Sequence, residues 1–273
     1  YTQMNDINEH QKNLYDKWMG ILIPKIDKIY PTMDNLKARE EAVKKLSQEN
    51  ARYMTSVFTP TKMAHTVNWR QLNFLINRFE DFVNGDGRGT CPEDYANRLI
   101  PSMIGFNKQV SGLKVEGMDN QTDRHLSLFE PAVAEEHFGP SVYSTSYPIS
   151  FAGLAQEHRH RTINYNINRI EELGFFVPQL FIDNGDSNLY SQWVKDLESV
   201  ARDDFPQAQI ISVVERGMIE DFRSKTLLRN CGHAQYEIMV QTKKTSQEYH
   251  EFQKKYGENS LKPKCQQGMK CPS

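Results

Sequence analysis

The apolar positions of the first third of the chain fall at helical spacing. Leu14, Trp18, Ile21, Leu22, Ile26 and Ile29 mark one face of a helix over residues 7–30, with a kink expected at Pro24 and a stop at Pro31. Leu36, Val43, Leu46 and Met54 mark a second helical stripe, which Asp34 is placed to cap and Pro60 to end. A short extended piece, K-M-A-H-T-V-N, leads into W-R-Q-L-N-F-L-I-N-R-F, again helical in spacing. The stretch V-N-G-D-G-R-G-T over 83–90 is the strongest loop signal. It contains G-x-G-x-G, but no buried strand precedes it and no helix-opening pattern comes after it, so it reads as a linker rather than a phosphate loop.

Beyond that linker the pattern turns β-like around L-K-V-E-G and S-V-Y-S-T-S-Y, and Pro148 suits the first turn of a short helix through Leu154 and Ala155. The most informative text is Q-E-H-R-H-R-T-I-N-Y-N-I-N-R, residues 156–169. Over 162–168 it alternates strictly: Ile163, Tyr165 and Ile167 share one face of a strand, Thr162, Asn164, Asn166 and Asn168 the other. Asparagine is a poor strand former, so three on one face suggest a polar ligand lying there. The remainder reads as a helix over 189–201, a strand at Q-I-I-S-V-V-E, a helix over 218–229 and a long amphipathic helix over 234–256.

An internal repeat accompanies this order. Q-E-N-A-R-Y-M-T-S-V-F-T-P, ending at Pro60, aligns with L-E-S-V-A-R-D-D-F-P, ending at Pro206; each carries Ala-Arg, at Arg52 and Arg202, near the end of a helix. Each then passes through an extended piece into a second helix, ending near Arg78 in one copy and Arg229 in the other. The shared offset and element order suggest a duplicated unit.

Composition narrows the function classes. The 273 residues carry 33 Lys+Arg against 35 Asp+Glu, a formal charge of −2, which excludes a globally basic nucleic-acid coat or a polybasic membrane binder. No window approaches the ~18 apolar residues of a membrane span. Four cysteines (Cys91, Cys231, Cys265, Cys271) are too few for a disulfide scaffold, and a reduced, cytoplasmic, soluble protein is expected. Cys265 and Cys271 lack a nearby His and zinc-like spacing, so residues 257–273 read as a polar tail.

His158, Arg159, His160 and Arg161 place several donors within one turn. Arginine forks match phosphate, and the Asn-faced strand beside them favours a planar, polar, phosphate-bearing ligand. Acidic residues around the cluster argue against a sequence-blind nucleic-acid binder. H-E-x-x-H, G-x-S-x-G, a Walker lysine loop and C-x-x-C are all absent, so no protein nucleophile is indicated and cofactor chemistry is favoured.

Q-E-H-R-H-R-T-I-N-Y-N resembles the signature of flavin-dependent thymidylate synthases, a Gln followed by R-H-R and then Ser-x-Asn-Glu-x-Ser-x-Arg-Tyr. A-R-D-D-F-P, T-V-N-W-R-Q-L-N-F-L-I-N-R and A-Q-Y-E-I resemble further motifs of that family, in order, over most of 45–80 and 101–240. The resemblance implies an α+β fold of antiparallel sheets flanked by helices, in two diverged copies of one unit. Residues 1–100 would hold the C-terminal part of a first copy plus linker, residues 101–256 the second copy, and residues 257–273 the tail. The chain opens at Tyr1, and Y-T-Q-M resembles the residues just after the family's motif arginine, so the first copy's own R-H-R is expected upstream.

By the same resemblance, Arg159, His160, Arg161 and Asn166, with Asn68 and Arg70, would hold FAD. Gln156, Arg229 and Arg52, with Arg202 as the second copy's equivalent of Arg52, would hold the pyrimidine nucleotide. The implied reaction moves a one-carbon unit from methylenetetrahydrofolate to C5 of dUMP, or of dCMP, by methylation or hydroxymethylation, with NADPH re-reducing the flavin. Self-association into a dimer or pseudo-tetramer is expected, without membrane. The chain departs from the family at Asn164, Ile167, Arg169 and Glu171-Glu172, where the motif has Ser, Glu, Ser and Arg-Tyr, and at Met218 and Glu220, where the flavin asparagine and arginine would stand. Those departures open a second expectation, a catalytically inactive relative kept as a nucleotide-binding or assembly scaffold. No catalytic acid or base is assigned; His160 is read as a structural hydrogen-bonding group before a proton carrier.

Overall fold

A computed structural model describes residues 2–60, 64–118, 128–129, 136–170, 173–183, 185–232 and 234–270, with side chains from Glu9 onward. The helices are α1 (Thr2–Ile29), α2 (Leu36–Ala51), α3 (Trp69–Asn84), α4 (Glu93–Val110), α5 (Phe151–Glu157), α6 (Gln179–Asp183), α7 (Ser187–Ala201), α8 (Ile219–Arg229), α9 (Tyr236–Glu248) and α10 (His250–Tyr256). The strands are β1 (His137–Phe138), β2 (Val142–Ser150), β3 (Asn164–Arg169) and β4 (Ile210–Met218). They form one antiparallel sheet in the order β1-β2-β4-β3, so the class is α+β.

Alternation along the strands buries one face of the sheet. Tyr143, Tyr147 and Ile149 of β2, Ile211, Val213 and Glu215 of β4, and Tyr165 and Ile167 of β3 are all buried. Asn164 and Asn166 stand on the opposite face, and the register sets Asn164 beside Arg216. A separate helical core joins α1, α2 and α7 around Trp18 and Trp193, whose rings meet edge-on at 4.7 Å. There Trp18 Nε1 donates to Asp196 at 2.9 Å, so the indole buries no unpaired N–H.

The two segments that align in the sequence lie side by side. Ser56 and Pro206 form an antiparallel bridge, and Ala208 N–H donates to the carbonyl of Tyr53. Asp204 fastens the junction: Ser56 Oγ donates to it at 2.7 Å, Gln11 Nε2 at 3.0 Å, and Arg98 sits 3.1 Å away. After each aligned Ala-Arg the chain extends and a further pair of packed helices comes next, α3 with α4 and α8 with α9.

Several local expectations are corrected. Asn35, not Asp34, caps α2, accepting from Ala38 N–H at 3.1 Å. Pro148 lies inside β2, where the two-residue β1 no longer reaches and no ladder needs its missing N–H; Ser150 caps α5 instead. L-K-V-E-G forms a turn, and a helix, α4, does open after the glycine-rich loop. Its stripe is interrupted by polar residues and Pro101, which masks the period. The long helix expected over 234–256 breaks at Tyr249 into α9 and α10. Residues 257–270 pack back on α8, with Arg223 Nη1 donating to Asn259 O at 2.9 Å and Ser260 buried, so this part of the expected tail is folded. Cys271 and Glu171-Glu172 lie outside the described residues. No described helix is long and apolar enough to cross a membrane.

Candidate functional site

The end of α2 and the R-H-R turn after α5 meet at α9. Arg52, just past α2, donates from Nη2 to Gln235 Oε1 at 2.7 Å, and Gln156 Nε2 donates to the same oxygen at 2.8 Å. The Gln235 amide nitrogen donates to Tyr53 Oη, which in turn donates to Glu237 at 3.0 Å. Ser150 holds Glu237 from the other side, by its backbone N–H at 2.5 Å and its hydroxyl at 2.6 Å. Gly153 makes this approach possible: a Cβ there would stand 2.6 Å from Ile149 and 3.0 Å from Glu237. Burial raises the Glu237 carboxyl, and the Ser150 donors and Tyr53 oppose it.

Arg229, the last residue of α8, completes the cluster. Its Nε donates to His160 Nε2 at 2.9 Å and its Nη2 to the carbonyl of Gln156 at 3.2 Å. The imidazole therefore accepts at Nε2. Burial, then the charges of Arg229 and Lys225, push it down to about 4, so it is neutral near pH 7. Arg159 acts electrostatically on Arg229 and lowers it further after burial has done so. Among the described residues the Nε of Arg52 is buried with no hydrogen-bond partner, an orphan donor that an anionic oxygen would satisfy.

The tertiary structure thus brings Arg52, Gln156, His160 and Arg229 into one network, with Arg159 beside it. Arg161 is exposed in the turn before β3, and Arg202 is exposed beyond α7. Asn166 points to the face of β3 away from Tyr165. Asn68 caps α3, its Oδ1 accepting from Gln71 N–H at 2.8 Å, and Arg70 is exposed in the first turn of that helix. The six residues expected around FAD therefore divide among three places. The donors around Arg52 and Arg229 fit a phosphate, whereas Asn68 is engaged in capping α3.

Sequence reasoning assigns no role to Tyr53, Gln235 or Glu237, although A-Q-Y-E-I contains the last two. It also passes over Glu157, Glu215 and Lys225, which meet beneath the cluster. The opposite stripe of α5, Phe151, Leu154, Ala155 and His158, faces a cavity of about 490 Å³ shared with Ser56, Val57, Tyr95 and Phe129. Tyr95 and Phe151 stack there, 5.8 Å apart and 17° from parallel. One short helix accordingly separates a polar, guanidinium-rich site from an aromatic cavity. No protein-family model matches this chain, and no curated protein matches it at the threshold of significance.

Proposed function

We propose that the chain binds a pyrimidine deoxynucleotide, of the dUMP or dCMP type, through Arg52, Gln156 and Arg229. We further propose flavin-dependent one-carbon transfer to C5 of that nucleotide as its activity. The observation that carries this reading is the convergence of Arg52 and Arg229 on Gln156 and Gln235. Two guanidiniums held by neutral amides and carbonyls keep their charge available for a phosphate. An Arg–carboxylate pair would have spent that charge internally.

The residues of the chain would act mainly by orientation. Gln235 is fixed by three partners and presents a rigid amide edge beside Gln156, suited to the polar edge of a pyrimidine. Arg229 and Arg52 would bind phosphate and stabilise negative charge developing on the ring. Bound reduced flavin would supply hydride, methylenetetrahydrofolate the carbon and NADPH the reducing equivalents. The aromatic cavity across α5 is of a size and character for one planar ring. The duplicated unit, in which each copy lends residues to one cleft, is part of the same proposal, as is self-association to complete it.

The division of the flavin-associated residues favours a second reading, a nucleotide-binding relative without turnover. Two measurements separate the readings. The absorption spectrum of the purified protein reports bound flavin. Mass spectrometry of dUMP and dCMP after incubation with methylenetetrahydrofolate, flavin and NADPH reports the added carbon. A mass increase on either nucleotide supports the enzyme; nucleotide binding with unchanged mass and a colourless protein selects the scaffold; no nucleotide binding removes both.

A further inference from the structure

Directly beneath the arginine cluster, Glu157, Glu215 and Lys225 meet out of reach of water, their side chains at most 1% exposed. Lys225 Nζ lies 2.7 Å from Glu215 and 3.0 Å from Glu157. Tyr143 donates to Glu215 Oε1 at 2.5 Å, while Tyr147 Oη is in hydrogen-bond contact with both Glu157 Oε2 and Glu215 Oε2.

Hydrogen counting locates a proton. A neutral phenol carries one hydrogen and donates to one acceptor. Glu215 faces three donors, Lys225, Tyr143 and Tyr147, and needs no hydrogen of its own. Glu157 Oε2 then meets the lone pairs of the Tyr147 oxygen, and that contact is attractive only if Glu157 supplies the hydrogen. With Glu157 protonated, the cluster is one ammonium and one carboxylate, neutral overall. With Glu157 ionised, it holds a buried excess negative charge, which is costly in a low-dielectric interior.

We propose that Glu157 carries a buried proton that is coupled to the anion site above it, so that an anion binds more tightly when the proton is present and draws it in on binding. The coupling rests on the phosphate-binding reading of Arg52, Gln156 and Arg229; the proton itself does not. Connection is short on both sides. Glu157 is next in the chain to Gln156, whose carbonyl takes the Arg229 Nη2 hydrogen bond, and Lys225 lies one turn before Arg229. Loss of the proton sets a negative charge under Arg229 and offsets part of the positive potential an anion needs. Reciprocity then requires the anion to favour the protonated form.

The groups facing Glu157 leave it as the one placed to change near neutrality. Burial raises its carboxyl, Lys225 opposes and Glu215 adds, leaving it at about 7. Tyr143 and Tyr147 of β2 and Tyr165 of β3 are all pushed upward by burial. Burial lowers Lys225, but Glu157 and Glu215 outweigh it, so the ammonium stays charged. His160 is held near 4, Arg229 remains a cation, and Glu237 of α9, against Gly153 one turn before Glu157, is tied to Ser150 and Tyr53.

Sulfate tests the coupling, because it keeps its charge between about pH 5.5 and 8.5 whereas phosphate titrates there. On the full chain, infrared spectroscopy is expected to show a protonated carboxyl band at about pH 5.5 that fades as pH rises through about 7 and is missing in Glu157→Gln. Calorimetry is expected to show sulfate affinity falling at least about fivefold over the same range, with proton uptake near pH 7. Glu157→Gln should bind sulfate with little pH dependence, and His158→Gln should keep the wild-type step. A carboxyl band absent at low pH, or unchanged in Glu157→Gln, overturns the proton. An equal fall of sulfate affinity in Glu157→Gln overturns the coupling. A titrating band with no sulfate binding at any pH removes the anion site, and the coupling with it, while the proton stands. If Glu157→Gln does not fold, calorimetry of the wild type in buffers of different ionisation heat still decides, since absence of proton uptake near pH 7 overturns the coupling.

Discussion

Arg52 donates a hydrogen bond to Gln235 across 183 residues of chain, at 2.7 Å, and this contact joins the end of α2 to the start of α9. Among the described residues no ion pair holds the arginine, its Nε is buried and unpaired, and Gln156 shares its acceptor. Arg52→Ala is therefore expected to weaken dUMP or dCMP binding at least about tenfold in a calorimetric titration. It should also cost about 1.5–3 kcal/mol of stability in urea, the range of a hydrogen bond to a charged group. Arg52→Lys should recover stability better than affinity, since an ammonium lacks the planar fork. Unchanged affinity in Arg52→Ala would remove this residue from the site.

The helical core offers a test of packing free of the site. Trp18 is buried between Trp193 and Phe181, at 4.7 and 5.5 Å between ring centroids. Trp18→Ala should cost about 3–5 kcal/mol in chemical denaturation. Trp18→Phe should cost less, while still leaving Asp196 without the indole donor.

Removing Lys225 leaves buried carboxylates without their cation. Lys225→Met is expected to lose about 3–5 kcal/mol, or to fail to fold at physiological temperature. The triple variant Lys225→Met, Glu157→Gln, Glu215→Gln should regain part of that loss, because no charge is then left unpaired. A triple variant no more stable than Lys225→Met in urea would show that the network is held by shape rather than by charge.

Two groups bend the pH dependence of stability in opposite directions. Glu157 is raised to about 7 in the folded chain, so its contribution is fully present below its unfolded value, near the ordinary carboxylate range, and is lost as pH rises through about 7. His160 is lowered to about 4, so its contribution is present above its ordinary value near 6.5 and is lost as pH falls through about 4. Wild-type stability should therefore be nearly level between about pH 4.5 and 6.5. Glu157→Gln should make stability rise with pH across that window, and His160→Gln should make it fall. Urea midpoints at four or five pH values read both slopes.

Much of the fold is legible in the chain because its period is local. Leu14, Trp18, Leu22 and Ile26 sit on one helical face, and all four are buried against α2 and α7. Tyr165 and Ile167 alternate with Asn in β3 and are buried as expected, while Ile163 is buried in the bend just before the strand, which begins at Asn164. α4 is hidden because Pro101 and scattered polar residues blur its stripe. Pro148 misleads because a proline is read by its own φ and missing N–H, whereas its tolerance in β2 depends on how far β1 extends beside it.

Residues a few positions apart are enough to establish the helical and strand periods, the paired Ala-Arg segments and the density of donors at residues 158–161, and simple counting establishes the near balance of charge. Three-dimensional packing is needed to know that Arg52, Gln156 and Arg229 share one network while Asn68 and Asn166 stand elsewhere, and that Glu157, Glu215 and Lys225 meet without water. Such meetings depend on side-chain direction and on contacts across the whole chain, and no local pattern encodes which of many buried polar residues will face one another.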